Sequence, residues 1–187
     1  DLLNPSQKRQ MWDKLEEDDP ELVTCSPPCT PFSPIQGLNW DRMPFSQSVH
    51  MVAEGVENFE TAVEVCVWQD EREKLFLLEH PLPSKAWEEE CAQRLMQRPG
   101  VYVCNTDLCQ YGMKVRELPN KKATRWITNS KHVAMELQRR CNGEHVHEHL
   151  MGGLAKFAAI YPKELCQAIV RGLLRHLRAT NRLKAVQ

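Results

Sequence analysis

"LVTCSPPCTPFSPIQ", residues 22–36, decides how the first half of this chain is read. A short apolar run reaches Cys25, then meets Pro27, Pro28, Cys29 and Pro31. An apolar run of that length, bounded by prolines, predicts a buried strand that ends in a stiff loop. Proline fixes φ and removes a backbone donor, so the loop holds Cys29 rigidly beyond the strand. A thiol fixed in position is a candidate nucleophile, because thiolate character and access govern its reactivity.

On the amino side, Asn4 and Pro5 open a polar helix that stops before Pro20. On the carboxyl side, residues 46–74 form a long amphipathic helix, with Val49, Val52, Val56, Phe59, Val63 and Cys66 at three- and four-residue steps. "LFLLEHP", residues 75–81, is a second buried strand with Glu79 near its end. A carboxyl in apolar surroundings has a raised pKa, which makes Glu79 a candidate proton donor. "SKAWEEECAQRLMQ" (84–97) reads as a helix, "VYVCNTD" (101–107) as a third strand and "KKATRWITNS" (121–130) as a fourth. Ser130 caps a helix to Cys141, and residues 161–179 form the last one, with proline in its first turn. Strands alternating with helices predict an α/β fold: a partial doubly wound, mostly parallel sheet with flanking helices. Ligand sites in such sheets collect at the carboxyl ends of the strands, where Cys29, Glu79 and Asn105 fall. Asn105 and Asp107 also read as plain turn caps.

The bulk numbers set limits. The 187 residues suffice for a real core, and a net charge of -1 supplies no global basic field for nucleic acid. Local patches would have to serve: Arg116, Lys121, Lys122 and Arg125, or the basic amphipathic stretch 171–184. Both also read as solvated faces. No apolar run is long enough to span a membrane and no signal peptide is recognisable, so no membrane partner is expected. The start at Asp1, without Met, suggests a processed product or a fragment. Eight cysteines lie scattered, with no CxxC pair, which fits reduced thiols in the cytoplasm or nucleus rather than a secreted disulfide framework.

The stretch "CNGEHVHEHL" brings together Cys141, His145, His147 and His149. Thiolate and imidazole are good zinc ligands, and Cys104 and Cys109 would complete a tetrahedral shell if folded nearby. A solvated polar loop punctuated by glycine is the plainer alternative.

The loop "SPPCTPFS" resembles the Pro-Pro-Cys loop of cytosine-C5 DNA and RNA methyltransferases, "FLLEHP" resembles their strand ending in Glu-Asn-Val, and "DLCQYGMKVRELPNKKATRWITNS" resembles a later Tyr-Gly segment with its arginine-bearing strand. The three occur in the family's order. The resemblance implies that Cys29 adds to C6 of a flipped-out cytosine and that Glu79 engages N3. It implies that Arg125, or else Arg116, holds the base, while C5 takes a methyl group from S-adenosylmethionine. It also implies cofactor contacts from Asp1, Pro27 and Asn105, and a cleft shared by Cys29 and Glu79. The chain departs from the family in having no glycine-rich cofactor loop, with Thr30 in place of glutamine and His80-Pro81 in place of Asn-Val. The likeness therefore implies an incomplete or degenerate carboxyl-side half, residues 1–130, followed by a helical extension, 131–187. DNA or RNA, and an upstream half or second chain, would be its partners; methyltransferase-like segments of retroelement polyproteins are also similar. The alternative function is a non-catalytic, zinc-stabilised module that binds nucleic acid or protein within a larger polyprotein.

Overall fold

The computed structural model describes residues 2–34, 36, 39–148 and 158–183. The chain forms two compact units, 1–101 and 102–187. The boundary falls at Val101/Tyr102, and the third strand pairs within the second unit, with residues 123–128.

The first unit contains α1 (Pro5–Asp18), β1 (Leu22–Cys25), α2 (Phe45–Glu71), β2 (Leu75–Pro81) and α3 (Glu90–Met96). The Asn4 side chain caps α1, accepting from the amides of Ser6 and Gln7 at 2.9 and 3.3 Å. Strands β1 and β2 are parallel, with Cys25 opposite Leu78. Helix α2 is the long crossover between them and buries Phe59, Val63 and Cys66. Buried Gln69 fastens its end, donating to the carbonyls of Pro20 and Leu75 at 3.1 and 3.0 Å. Phe32, Phe59, His80 and Trp87 form a cluster of edge-on and tilted rings 5.4–5.9 Å apart. The helix expected over 84–97 starts late. Ser84 caps a 3-10 turn, Trp87 donates to Pro81 O at 2.8 Å, and extended Glu89 separates that turn from α3.

The second unit contains β3 (Tyr102–Asp107), β4 (Lys114–Val115), β5 (Leu118–Pro119), β6 (Ala123–Thr128), α4 (Lys131–Glu136) and α5 (Lys163–Ala179). Here the expected parallel pairing is corrected: β3 and β6 run antiparallel, with Asn105 opposite Arg125. The segment joining them holds one 3-10 turn and the small β4–β5 hairpin, with no helix to carry the chain across a face. Helix α4 begins as expected, Ser130 Oγ accepting from Val133 N at 3.3 Å. It stops at Glu136 because the next carbonyls are taken by side chains: the Tyr111 hydroxyl donates to Glu136 O and the Thr106 hydroxyl to Leu137 O. Helix α5 buries Leu165, Ala168, Ile169, Gly172 and Leu177, and Gly172 lets its backbone approach that of Val133. The α/β class holds in both units. Among the described residues, no helix is long and apolar enough to cross a membrane.

Candidate metal centre and the cysteine loop

Strand β3 ends at Asp107, and the chain turns at once into a 3-10 helix over Leu108–Tyr111. Leu108 and Tyr111 are fully buried, which aims the intervening Cys109 sideways toward the segment that follows α4. That segment is tied down on both flanks. Asp107 Oδ2 accepts from Cys141 N and from Arg140 Nε, both at 2.9 Å, and Asp107 N donates to Arg139 O at 3.0 Å. Further along, Glu148 N donates to Pro119 O at 2.8 Å and Asn120 Nδ2 donates to Glu148 O at 2.7 Å.

Between these ties, ligand atoms of Cys109, Cys141, His145 and His147 lie within 4.8 Å of one another, so the cluster could hold a metal ion. Cys141 Sγ is 3.6 Å from His145 Nε2 and 3.4 Å from His147 Nε2. A tetrahedral ion with Zn–S of about 2.3 Å and Zn–N of about 2.0–2.1 Å sets sulfur and nitrogen about 3.5–3.6 Å apart. The observed spacings match that edge. Gly143 N donates to Cys141 Sγ at 3.3 Å. This bond forms because Gly143 has φ of 84°, a left-handed turn suited to glycine. Burial, and then the neighbouring Cys141 thiol, push Cys109 up to about 11, so an arriving cation must displace protons to bind.

Of the ligands expected from the sequence, Cys141, His145 and His147 lie in this cluster, while His149 lies outside the described residues. Of the two further cysteines considered, Cys109 joins the cluster. Cys104 is buried on β3, and burial alone raises it to about 12. Asp107, read from the sequence as a turn cap, is instead the buried carboxylate that orients Cys141. No spacing rule marks such a residue.

The cysteine loop belongs to the first unit. Pro31 packs on Gly55 of α2 and Phe32 enters the ring cluster, so the loop is pinned from its far side while Cys29 is exposed. Pro27 and Pro28 line a largely apolar cavity of about 480 Å³, with Met11 and Leu15 of α1 and Thr61 of α2. Glu79 is buried on β2. Side chains alternate along a strand, so Glu79 takes the face opposite His80, and His80 is the residue that meets Phe32. Arg125 and Asn105 lie in the other unit and touch each other, Arg125 Nε donating to Asn105 Oδ1 at 3.3 Å. Asp1 lies outside the described residues.

Compared with family models, with curated proteins and with solved structures, the chain matches none.

Proposed function

We propose that residues 102–187 form a zinc-stabilised, non-catalytic binding module, with Cys109, Cys141, His145 and His147 as the four ligands. The observation that carries this reading is the 3.4 and 3.6 Å separation of Cys141 Sγ from the two imidazole nitrogens, with a second thiol at hand. Two thiolates and two imidazoles are a standard structural zinc set, and four protein ligands leave no open position for a substrate. Such an ion contributes folding energy directly, apparent values for small zinc domains being about 10–16 kcal/mol at neutral pH. That suits a segment whose ligands are held by a turn and a loop rather than by long helices. A reducing compartment, cytoplasm or nucleus, suits thiolate ligands. Metal analysis of the purified protein tests the reading: one zinc per chain is expected, lost in C109S and C141S. Folded protein that takes up no zinc would overturn it.

A second reading has an observation of its own. Cys29 lies beyond the carboxyl end of β1 and Glu79 within the last residues of the adjacent parallel β2, near the usual location of ligand sites in doubly wound sheets. This supports a cytosine-C5 methyltransferase-like half, completed by an upstream segment or second chain that binds S-adenosylmethionine, with Cys29 attacking C6. It stands second for two reasons. Strand alternation turns Glu79 away from the face where Phe32 pins the loop. Residues 1–101 also carry 9 Lys and Arg against 19 Asp and Glu, a formal -10 that repels a polyanionic substrate. A 5-fluorocytosine oligonucleotide with S-adenosylmethionine tests it: a covalent adduct that C29S abolishes is the expected product, and no adduct with the upstream region restored would remove it.

A further inference from the structure

The overall charge of -1 conceals a separation. Residues 102–187 carry 15 Lys and Arg against 6 Asp and Glu, a formal +9. A segment so basic has its own field, able to draw polyanions to its surface. Part of that charge is arranged. Glu136, at the end of α4 and 9% exposed, accepts from Arg171 Nε and Nη2 at 3.2 and 3.0 Å and from Arg175 Nη1. The carboxylate thus fixes two guanidiniums that remain 44% and 57% exposed. Arg139 is held beside them by stacking on Tyr111, its guanidinium carbon 4.9 Å from the ring centre. The three arginines, with Gln167, Glu136 and Glu164, line a polar hollow of about 520 Å³.

One carboxylate neutralises one guanidinium. Among the described residues, the Lys, Arg, Asp and Glu that line this hollow or lie on α5 are Arg139, Lys163, Arg171, Arg175 and Arg178 against Glu136 and Glu164, an excess of three positive charges. Each guanidinium has five N–H donors in a rigid fork, and the bonds to Glu136 use only part of each fork. Arg171, Arg175 and Arg178 follow one another at steps of four and three residues, about 4.5–6 Å along the helix axis. That spacing is comparable to the separation of successive phosphates along an extended strand.

We propose that this arginine face of α5, with Arg139, is a site for the phosphodiester backbone of nucleic acid. It contacts phosphates without reading bases. The site rests on the zinc-module reading, because Arg139 is placed by the segment that Asp107 and Cys141 anchor. A membrane surface is disfavoured: Leu165, Ala168, Ile169 and Leu177 are buried, and of the large apolar residues of α5 only Val170 is exposed, too little to insert beside the basic face.

The test uses the full chain with its zinc content measured in parallel. Fluorescence anisotropy is recorded with a labelled 20-nucleotide single strand and with the corresponding duplex, over a salt series. R171Q/R175Q should weaken binding at least tenfold and lower the slope of log affinity against log salt by about 2. R178Q, which breaks no ion pair shown for the described residues, should lower it by about 1 and guards against misfolding of the double variant. R94Q, at an exposed side chain of α3, should change nothing. Zinc-loaded protein that binds neither probe overturns this site and leaves the zinc reading intact. Equal loss in R94Q, or equally tight binding of polyglutamate or of anionic vesicles, also overturns it. Absence of zinc together with retained, arginine-dependent binding overturns the zinc reading instead.

Discussion

The two units of this chain solve the problem of fixing a reactive side chain in different ways. Residues 1–101 use covalent stiffness and apolar contact: three prolines around Cys29, with Pro31 seated on Gly55 and Phe32 wedged among Phe59, His80 and Trp87. Residues 102–187 use polar ties. Asp107 holds Cys141, Asn120 holds the backbone at Glu148, and ligand atoms from positions 32 residues apart converge. The first strategy is written in a continuous stretch and is visible in the sequence. The second exists only after folding. The charges divide the same way, formally -10 against +9, so the units differ in what each can attract as well as in how each is held.

The largest effect is expected at the metal centre. C141S removes the ligand shared by both histidine contacts, and zinc should be lost entirely. Residues 102–148 should then lose most of their amide protection in hydrogen exchange, a destabilisation of several kcal/mol. The matching blow to the first unit is smaller. F59A empties the centre of the ring cluster and should cost about 3–5 kcal/mol in a denaturant titration.

Two glycines sharpen the contrast. A Cβ at Gly172 would lie 2.7 Å from the Val133 Cα and 3.0 Å from His132 O, both backbone atoms. A Cβ at Gly55 would lie 2.6 Å from the Pro31 ring, in a loop that can shift. Both G172A and G55A should destabilise, within about 1–3 kcal/mol, with G172A the worse by urea midpoint. D107N keeps the shape of the side chain but removes the charge that orders Arg140 and Cys141, and should weaken zinc affinity about 10–100-fold in a chelator competition. The smallest effect belongs to N4A, which removes an exposed helix cap for about 1 kcal/mol.

These particulars show what could be read beforehand. The caps at Asn4 and Ser130 and the apolar periodicity of α2 are local signals, and the elements they predict are present. The near-continuous apolar run of β2 likewise marks a strand buried on both faces. The direction of β3 against β6 is not local: it depends on the absence of a crossover helix between them, and alternation of elements alone suggested otherwise. The early stop of α4 was illegible because it follows from Tyr111 and Thr106 taking its carbonyls. At the site, the histidines announced themselves by clustering. Cys109 could be named only alongside Cys104, since nothing within "DLCQYG" says that this thiol is the one to meet a loop 32 residues later. The basic character of the second unit was legible throughout, masked only by summing it with an acidic partner sequence.

The most direct measurement is X-ray absorption at the zinc edge on protein purified without chelators. One zinc per chain is expected, in a four-coordinate shell of two sulfurs at about 2.3 Å and two imidazole nitrogens at about 2.0–2.1 Å, with no zinc in C109S. A folded protein with no bound zinc, or a shell of oxygen ligands unchanged by C109S, would contradict this expectation.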